Sequence, residues 1–289
     1  MVSMQLRDYF NWGSHTYIMG ITNITPDSFS GDGLVHSNDD VVQAAVAQGQ
    51  QFVADGAHIL DFGGESTRPG SEPVAAADEI SRILPVIIAL AAAVDIPISI
   101  DTSKAEVAAA ALDAGASIVN DVWGLRLDPE MAGLVAARGV PLVLMHNRSR
   151  PRTAVQEAQL GGRYVGSEYD NLLEDVTREL EESIERALAA GVASEQIIID
   201  PGIGFGKTVE QNLELTNRLD HFRQLGYPLL YGSSRKSFIG YTLDLPPDDR
   251  IDGTAATVAI AIERGADIVR VHDVRQMARV ARMTDAIIR

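Results

Sequence analysis

The chain has 289 residues, 46% of them hydrophobic and 22% charged, enough to bury a full core as one large α/β barrel or as two ordinary domains. Its formal net charge of −16 excludes a surface built for nucleic acid or anionic membranes, which needs a basic face. It has no cysteine, which excludes disulfides, thiolate catalysis and cysteine metal sites. The opening MVSMQLRDYFNWG lacks the basic-then-apolar order of a signal peptide. The longest apolar stretch, 83–94, covers about two-thirds of a membrane span and contains Pro85. A soluble cytoplasmic protein is expected, in which any anionic substrate must meet a local basic cluster.

Residues 1–16 precede the first apolar run and are expected as a short N-terminal extension, a hairpin or plug over the barrel bottom. Runs rich in β-branched residues then predict strands at 17–22, 58–63, 97–101, 117–121, 141–146, 196–201, 228–232 and 267–272. Between them lie Ala-rich segments of helical spacing. Leu173, Val176, Leu180, Ile184 and Ala187 form one such stripe, with Glu and Arg on the other face. Several of these segments stop at glycine, at Gly115, Gly139, Gly191 and Gly265. Alternation of this kind predicts parallel strands with crossover helices, and eight strands is the number of a (β/α)8 TIM barrel. No linker composition divides 17–289, so these residues read as a single barrel domain. Segments 23–39, 65–72 and 146–166 break the alternation; each is polar or Gly/Pro-rich and directly follows a predicted strand. Loops in that position lie on the catalytic face of a barrel, and long ones are candidate lids or clamps.

Four apolar runs end on chemistry: ISID at Asp101, IVND at Asn120, IIID at Asp200, and PLLYGSSRK at Lys236. Two carboxylates and an amide on one rim suit a nitrogen heterocycle, because carboxylates accept from N–H groups and an amide both donates and accepts. The competing explanation is that an Asp after a strand caps the next helix, as Asp101 could before Thr102 and Ser103. Lys236 follows a tight turn at an expected helix start, where an ammonium and backbone N–H groups favour anions or ring carbonyls. Arg270 and His272 alternate with valines and so face one side; they form an anion site if that side is the barrel mouth, or Arg270 makes a structural ion pair with an aspartate. DPGIGFGKT looks like a phosphate-binding P-loop, but Pro201 stands where that motif needs glycine. Its glycines, Gly204 among them, are read as letting a flat ligand approach the backbone, with Phe205 for apolar contact. The first two long loops contribute Asn23 and Phe29, then Thr67, Arg68 and Pro69. Hydroxyls and arginine suit phosphate oxygens, and an amide oxygen can ligate Mg²⁺. The six histidines are scattered, which argues against a tight zinc site.

Taken together, MGITNITPDSFSGDG, DFGGESTRPG, SIDTSK, VNDV, DPGIGFGKT, GSSRKSFIG and RVHDV resemble the dihydropteroate synthase family of folate biosynthesis, in family order from about residue 17 to the C-terminus. The resemblance implies a TIM barrel that joins 6-hydroxymethyl-7,8-dihydropterin diphosphate to p-aminobenzoate, giving 7,8-dihydropteroate and pyrophosphate. It implies that Asp101, Asn120, Asp200 and Lys236 hold the pterin. Asn23 would meet Mg²⁺ and the diphosphate, and Arg270 and His272 the diphosphate oxygens. Thr67, Arg68 and Pro69 would lie on a second mobile loop, and Phe205 and Ser237 would receive p-aminobenzoate. It further implies dissociative chemistry, a homodimer and inhibition by sulfonamides. The first loop reads SGDG where the family commonly has SDGG, and NRSRPRT after His146 falls in a variable part and is given no role. The alternatives are a pterin-binding methyltransferase, which has no diphosphate to hold, and a noncatalytic pterin-binding paralogue.

Overall fold

The strands ISID, IVND, LVLM and IIID are buried along their whole length, the condition of parallel strands covered on both faces. The computed structural model describes residues 6–23, 38–66, 71–149, 154–157 and 160–289. Its strands are β1 (Tyr17–Asn23), β2 (Ile59–Gly63), β3 (Ile98–Asp101), β4 (Ile118–Asp121), β5 (Leu142–Met145), β6 (Ala154–Glu157), β7 (Gly161–Tyr164), β8 (Ile197–Asp200), β9 (Leu230–Tyr231) and β10 (Ile268–Val271). The α-helices are α1 (Leu6–Tyr9), α2 (Asn38–Ala54), α3 (Ala76–Ala91), α4 (Ala105–Asp113), α5 (Met131–Arg138), α6 (Leu172–Ala189), α7 (Val209–Asn217), α8 (Ser237–Leu243), α9 (Ile251–Glu263) and α10 (Val274–Ile288).

Eight strands form one sheet in the order β8-β5-β4-β3-β2-β1-β10-β9, every neighbouring pair parallel. A parallel bridge between Ile199 and Leu229 joins the two ends, and the result is the expected TIM barrel. All eight expected strands are present, although the run at 228–232 keeps only Leu230 and Tyr231 in regular ladder. β6 and β7 are an antiparallel pair inside the 146–166 segment, which the sequence shows only as a long loop. No helix among the described residues is long and apolar enough to cross a membrane.

Two apolar layers hold the barrel. The outer one lies between strands and helices: Phe62, Ile100, Val119, Leu144, Ile199 and Val269 meet helical residues such as Ile83, Leu90, Val176 and Leu180. The inner one fills the barrel with Tyr17, Met19, Ile59, Ile118, Val143, Ile198, Leu230 and Ile268. Leu6 and Phe10, from α1 and the residue after it, belong to that inner cluster, and the Leu6 amide donates to Gln196 Oε1 at 3.2 Å. The Phe10 ring stands edge-on to Tyr17, centroids 4.8 Å apart. The segment before β1 thus contributes side chains to the barrel interior.

Phe10 is only 4% exposed, so Phe10→Ala should destabilise the protein by about 3 kcal/mol through lost burial and the cavity left behind. Urea unfolding followed by tryptophan fluorescence measures this; an unchanged midpoint would mean that the N-terminal segment does not support the barrel.

Candidate active site

Successive side chains on a strand face opposite ways, so residues two positions beyond the inner apolar layer also face the barrel axis. Ile59 is followed in this way by Asp61, Ile118 by Asn120, Ile198 by Asp200, Leu230 by Gly232, and Ile268 by Arg270. Asp101 is in register with Asn120 and joins the same layer. A polar layer therefore sits on an apolar floor at the carboxyl ends of the strands, where the chain leaves each strand for the next helix. That is the catalytic face of this fold.

Arg270 organises the layer. Its Nε donates to Asp61 Oδ2 at 2.6 Å and its Nη2 to Asp101 Oδ2 at 2.7 Å. Asp61 is fully buried, and both of its oxygens lie 3.4 Å from Asn120 Nδ2. Asp101 Oδ1 is buried with no hydrogen-bond partner. Burial raises the Asp101 pKa to about 7; Arg270 opposes this, while Asp61, Glu79 and Asp121 add to it. Burial also pushes the Asp200 carboxyl up, against the pull of Lys236, and Asp200 Oδ1 accepts from the Gly202 amide at 2.7 Å.

Lys236, the residue that caps α8, donates to the Ile203 carbonyl, and its ammonium lies 4.7 Å from the centre of the Phe205 ring. Burial lowers its pKa to about 8, with Asp200 working against the shift and Arg270 adding to it. Ser237 is the first residue of α8. His272 Nδ1 and the His272 amide both lie on Ser234 Oγ, at 3.0 and 3.1 Å. If the hydroxyl accepts from the amide and donates to Nδ1, Nε2 is the N–H that faces elsewhere. The structure thus brings together Asp101, Asn120 and Arg270, and Lys236 stands where it feels the charges of Asp200, Arg270 and Asp101 while lying beside Gly204 and Phe205. The side chain of Asn23 lies outside the described residues, as do Phe29, Thr67, Arg68 and Pro69; the Asn23 backbone closes β1 opposite Gly63.

The glycines of DPGIGFG are required by the protein's own packing. Gly202 has φ +72, and a Cβ there would lie 1.7 Å from the His146 carbonyl oxygen; Gly204 has φ +86, and its Cβ would press on Lys236 Cδ at 3.0 Å. The lysine of the P-loop look-alike points inward: Lys207 is 3% exposed and is bonded to His146 Nδ1 and two loop carbonyls. Arg270 does make the ion pair weighed against an anion role, in fact with two aspartates. Asp61 is the residue that sequence reasoning missed. The available signal was its place two residues after the inward Ile59, the spacing that also marks Asn120, Asp200 and Arg270.

Residues 19–272 match the family described as pterin binding enzyme. The chain is 50% identical over 281 residues to a dihydropteroate synthase of Clostridium beijerinckii, covering 97% of each protein. It is similar to the crystal structure of a Clostridium difficile dihydropteroate synthase in the presence of pteroic acid, with 46% identity and a TM-score of 0.87 over 96% of this chain and 98% of that one. It is also similar to the Xanthomonas albilineans enzyme with 4-aminobenzoic acid, at 40% identity and a TM-score of 0.85 over 95% and 93% of the two chains.

A carboxyl that ionises at 3.8 in the unfolded chain and at about 7 in the ligand-free fold costs stability progressively as pH rises from 3.8, with the whole cost present above about 7. Asp101→Asn removes that cost. The variant should gain on the order of 1–3 kcal/mol over the wild type between pH 4 and pH 8, read from urea midpoints at the two pH values. A gap that shrinks as pH rises would contradict the assignment.

Proposed function

Because the chain belongs to the dihydropteroate synthases of the pterin-binding enzyme family, we propose the following division of labour for joining 6-hydroxymethyl-7,8-dihydropterin diphosphate to p-aminobenzoate. Asp101, Asn120 and Asp200 bind the pterin through its ring and exocyclic nitrogens, and Lys236 closes the same pocket on a ring acceptor. The observation that carries this reading is Asp101 Oδ1, a buried carboxylate oxygen without a partner beside an amide and in the same layer as a second carboxylate. A buried acceptor is costly to leave unpaired, and an N–H-bearing heterocycle is the ligand that pairs it.

Arg270 uses Nε and Nη2 on the aspartates, which leaves its Nη1 side for an oxygen of the diphosphate, and His272, two residues further along the chain, is assigned to the same group. Leaving-group charge is met where it develops, by fixed donors. The C–O bond to the diphosphate breaks first and its electron pair leaves with pyrophosphate. The pterin-stabilised cation is then attacked by the arylamine nitrogen, which loses a proton to water as the new C–N bond forms. No strong base is required, since the arylamine is neutral near pH 7. Phe205 and Ser237 receive the p-aminobenzoate beside Lys236, with Gly204 keeping the backbone close. Thr67, Arg68, Pro69 and Phe29 belong to the loops assigned to cover both substrates.

Mg²⁺ is assigned to Asn23 and the diphosphate, where it supplies positive charge to the leaving group when bound. Among the described residues no group of three or more His, Cys, Asp or Glu could hold a metal ion. A magnesium ion carried on substrate phosphates needs only about one or two protein ligands, so this donor set fits it. The cytoplasmic homodimer implied by the family belongs to the same proposal; exposed Ile260 on α9 and Met283 and Ile287 on α10 offer apolar surface for it.

With Mg²⁺, the pterin diphosphate and p-aminobenzoate, the protein should release one pyrophosphate per dihydropteroate formed. Pterin binding without turnover would favour a noncatalytic paralogue, and methyl transfer from a methylated folate would favour the methyltransferase. Asp101→Asn replaces an acceptor by a donor and should raise the KM for the pterin diphosphate about 10- to 100-fold, the range of a hydrogen bond to a charged group. An unchanged KM would remove Asp101 from pterin recognition.

A further inference from the structure

The loop between β8 and α7, residues 201–208, carries Phe205 and supplies the carbonyl to which Lys236 is tied. Whatever fixes this loop therefore fixes the arylamine side of the proposed site. Lys207 lies beneath it, 3% exposed. Its ammonium donates to the Gly202 carbonyl at 2.8 Å, to the Phe205 carbonyl at 3.1 Å and to His146 Nδ1 at 3.0 Å. An ammonium has three N–H bonds and no acceptor, so the three contacts match a protonated Lys207; burial pushes its pKa well below the ordinary lysine value, and Asp200 pulls the other way.

The third acceptor is itself anchored. His146 is 3% exposed, and its Nε2 stands 3.0 Å from Glu179 Oε2 on α6, while Glu179 Oε1 takes Arg148 Nε at 2.8 Å. Burial, reinforced by Lys207, lowers the His146 pKa to about 3, so the ring is neutral: Nδ1 accepts from Lys207 and Nε2–H donates to Glu179. From α7, Asn212 adds two further ties, accepting from the Gly204 amide at 2.6 Å and donating to the Thr208 carbonyl at 2.7 Å. The loop is thus held between two ammonium groups. Lys207 takes the carbonyls of Gly202 and Phe205 from below, and Lys236 takes that of Ile203 from the site side. None of these hydrogen bonds involves Asp61, Asp101, Asn120 or Arg270, which belong to β2, β3, β4 and β10; the loop's one direct tie to a carboxylate assigned to the pterin is the Gly202 amide on Asp200 Oδ1, at 2.7 Å.

Resting on the function proposed above, we infer that Lys207 is a positioning residue for the second substrate. By holding the Gly202 and Phe205 carbonyls it sets where the Phe205 ring stands for the arylamine, while Asp101 and Asn120 on β3 and β4 are left in place and the pterin side feels the loop only through Lys236 and the Gly202–Asp200 contact.

The chain has no cysteine, so Lys207→Cys introduces a single thiol. Alkylation of that thiol with 2-bromoethylamine in denaturant, followed by refolding, returns an ammonium at nearly the original length. The KM for p-aminobenzoate should rise about tenfold or more in Lys207→Cys, since small misplacements are costly to reactivity, and the KM for the pterin diphosphate should stay within about threefold. Aminoethylation should restore most of the loss. Equal movement of both KM values, movement of neither, or no rescue in a protein whose circular dichroism is native, overturns the inference. If Lys207→Cys does not fold, Glu179→Gln weakens the hold on His146 and should give the same one-sided change at smaller size; an even change overturns it too. Absence of pyrophosphate release by the wild type would instead remove the functional reading beneath it, whereas turnover with unselective variants leaves that reading intact and rejects the role of Lys207.

Discussion

Arg270 reaches from β10 to Asp61 on β2 and Asp101 on β3, so one guanidinium ties three strands around the polar layer of the barrel. The energetics of such a contact are lopsided. Coulomb attraction between buried ions is largely offset by the desolvation of both partners, yet removing one partner leaves an uncompensated charge, at a cost of about 3–5 kcal/mol. The contact therefore adds little net stability while forbidding other arrangements. It holds two carboxylates in fixed positions above an apolar floor of Ile59, Ile118, Val143 and Ile198.

That arrangement divides the mouth by charge. Asp61, Asp101 and Asp200 meet the charges of Arg270, Lys236 and Lys207, and the side assigned to the pterin is lined by buried carboxyl and amide groups that suit a ligand rich in N–H donors. On the opposite side Arg270 is already largely neutralised by its two aspartates, and by itself it is a weak hold on a diphosphate. The assignment of Asn23 and Mg²⁺ to the same end addresses that shortfall. It also means that Arg270 cannot be altered without disturbing Asp101, so the two halves of the site are coupled through this one side chain.

The barrel was legible because burial on both faces makes short parallel strands read as unbroken apolar runs, each ending where a side chain turns to the mouth. Asp101, Asn120, Asp200 and Lys236 stood out for that reason, and Arg270 by its alternation with valines. Asp61 did not, because the DFGG run carries no contrast between an apolar stretch and a polar end; its partner lies 209 residues away in sequence, and only the closed barrel brings them together. Lys207 was legible as a motif fragment but not as a structural group, since its acceptors are backbone carbonyls and a histidine just past β5. The β6–β7 hairpin was hidden because AVQE and GGRY show neither clear alternation nor strong β propensity. The short ladder of β9 was overestimated because β-branched or aromatic content reports burial, not hydrogen-bond pairing.

The closure of the barrel has a mechanical consequence. Every other neighbouring pair of barrel strands shares a ladder, whereas β8 and β9 meet at one bridge, Ile199 with Leu229. The barrel is therefore a sheet with a seam, and the seam runs between the strand that ends in Asp200 and the strand that leads to Lys236. At its upper end the backbone ladder is replaced by a side-chain clasp, from Lys236 to the Ile203 carbonyl. Two strands joined at a single point can tilt apart by small rotations without unzipping a row of hydrogen bonds. The seam thus separates Asp200 from Lys236 beside the half of the mouth assigned to the arylamine, whereas Asp101 and Asn120 stand on the laddered wall of the cylinder.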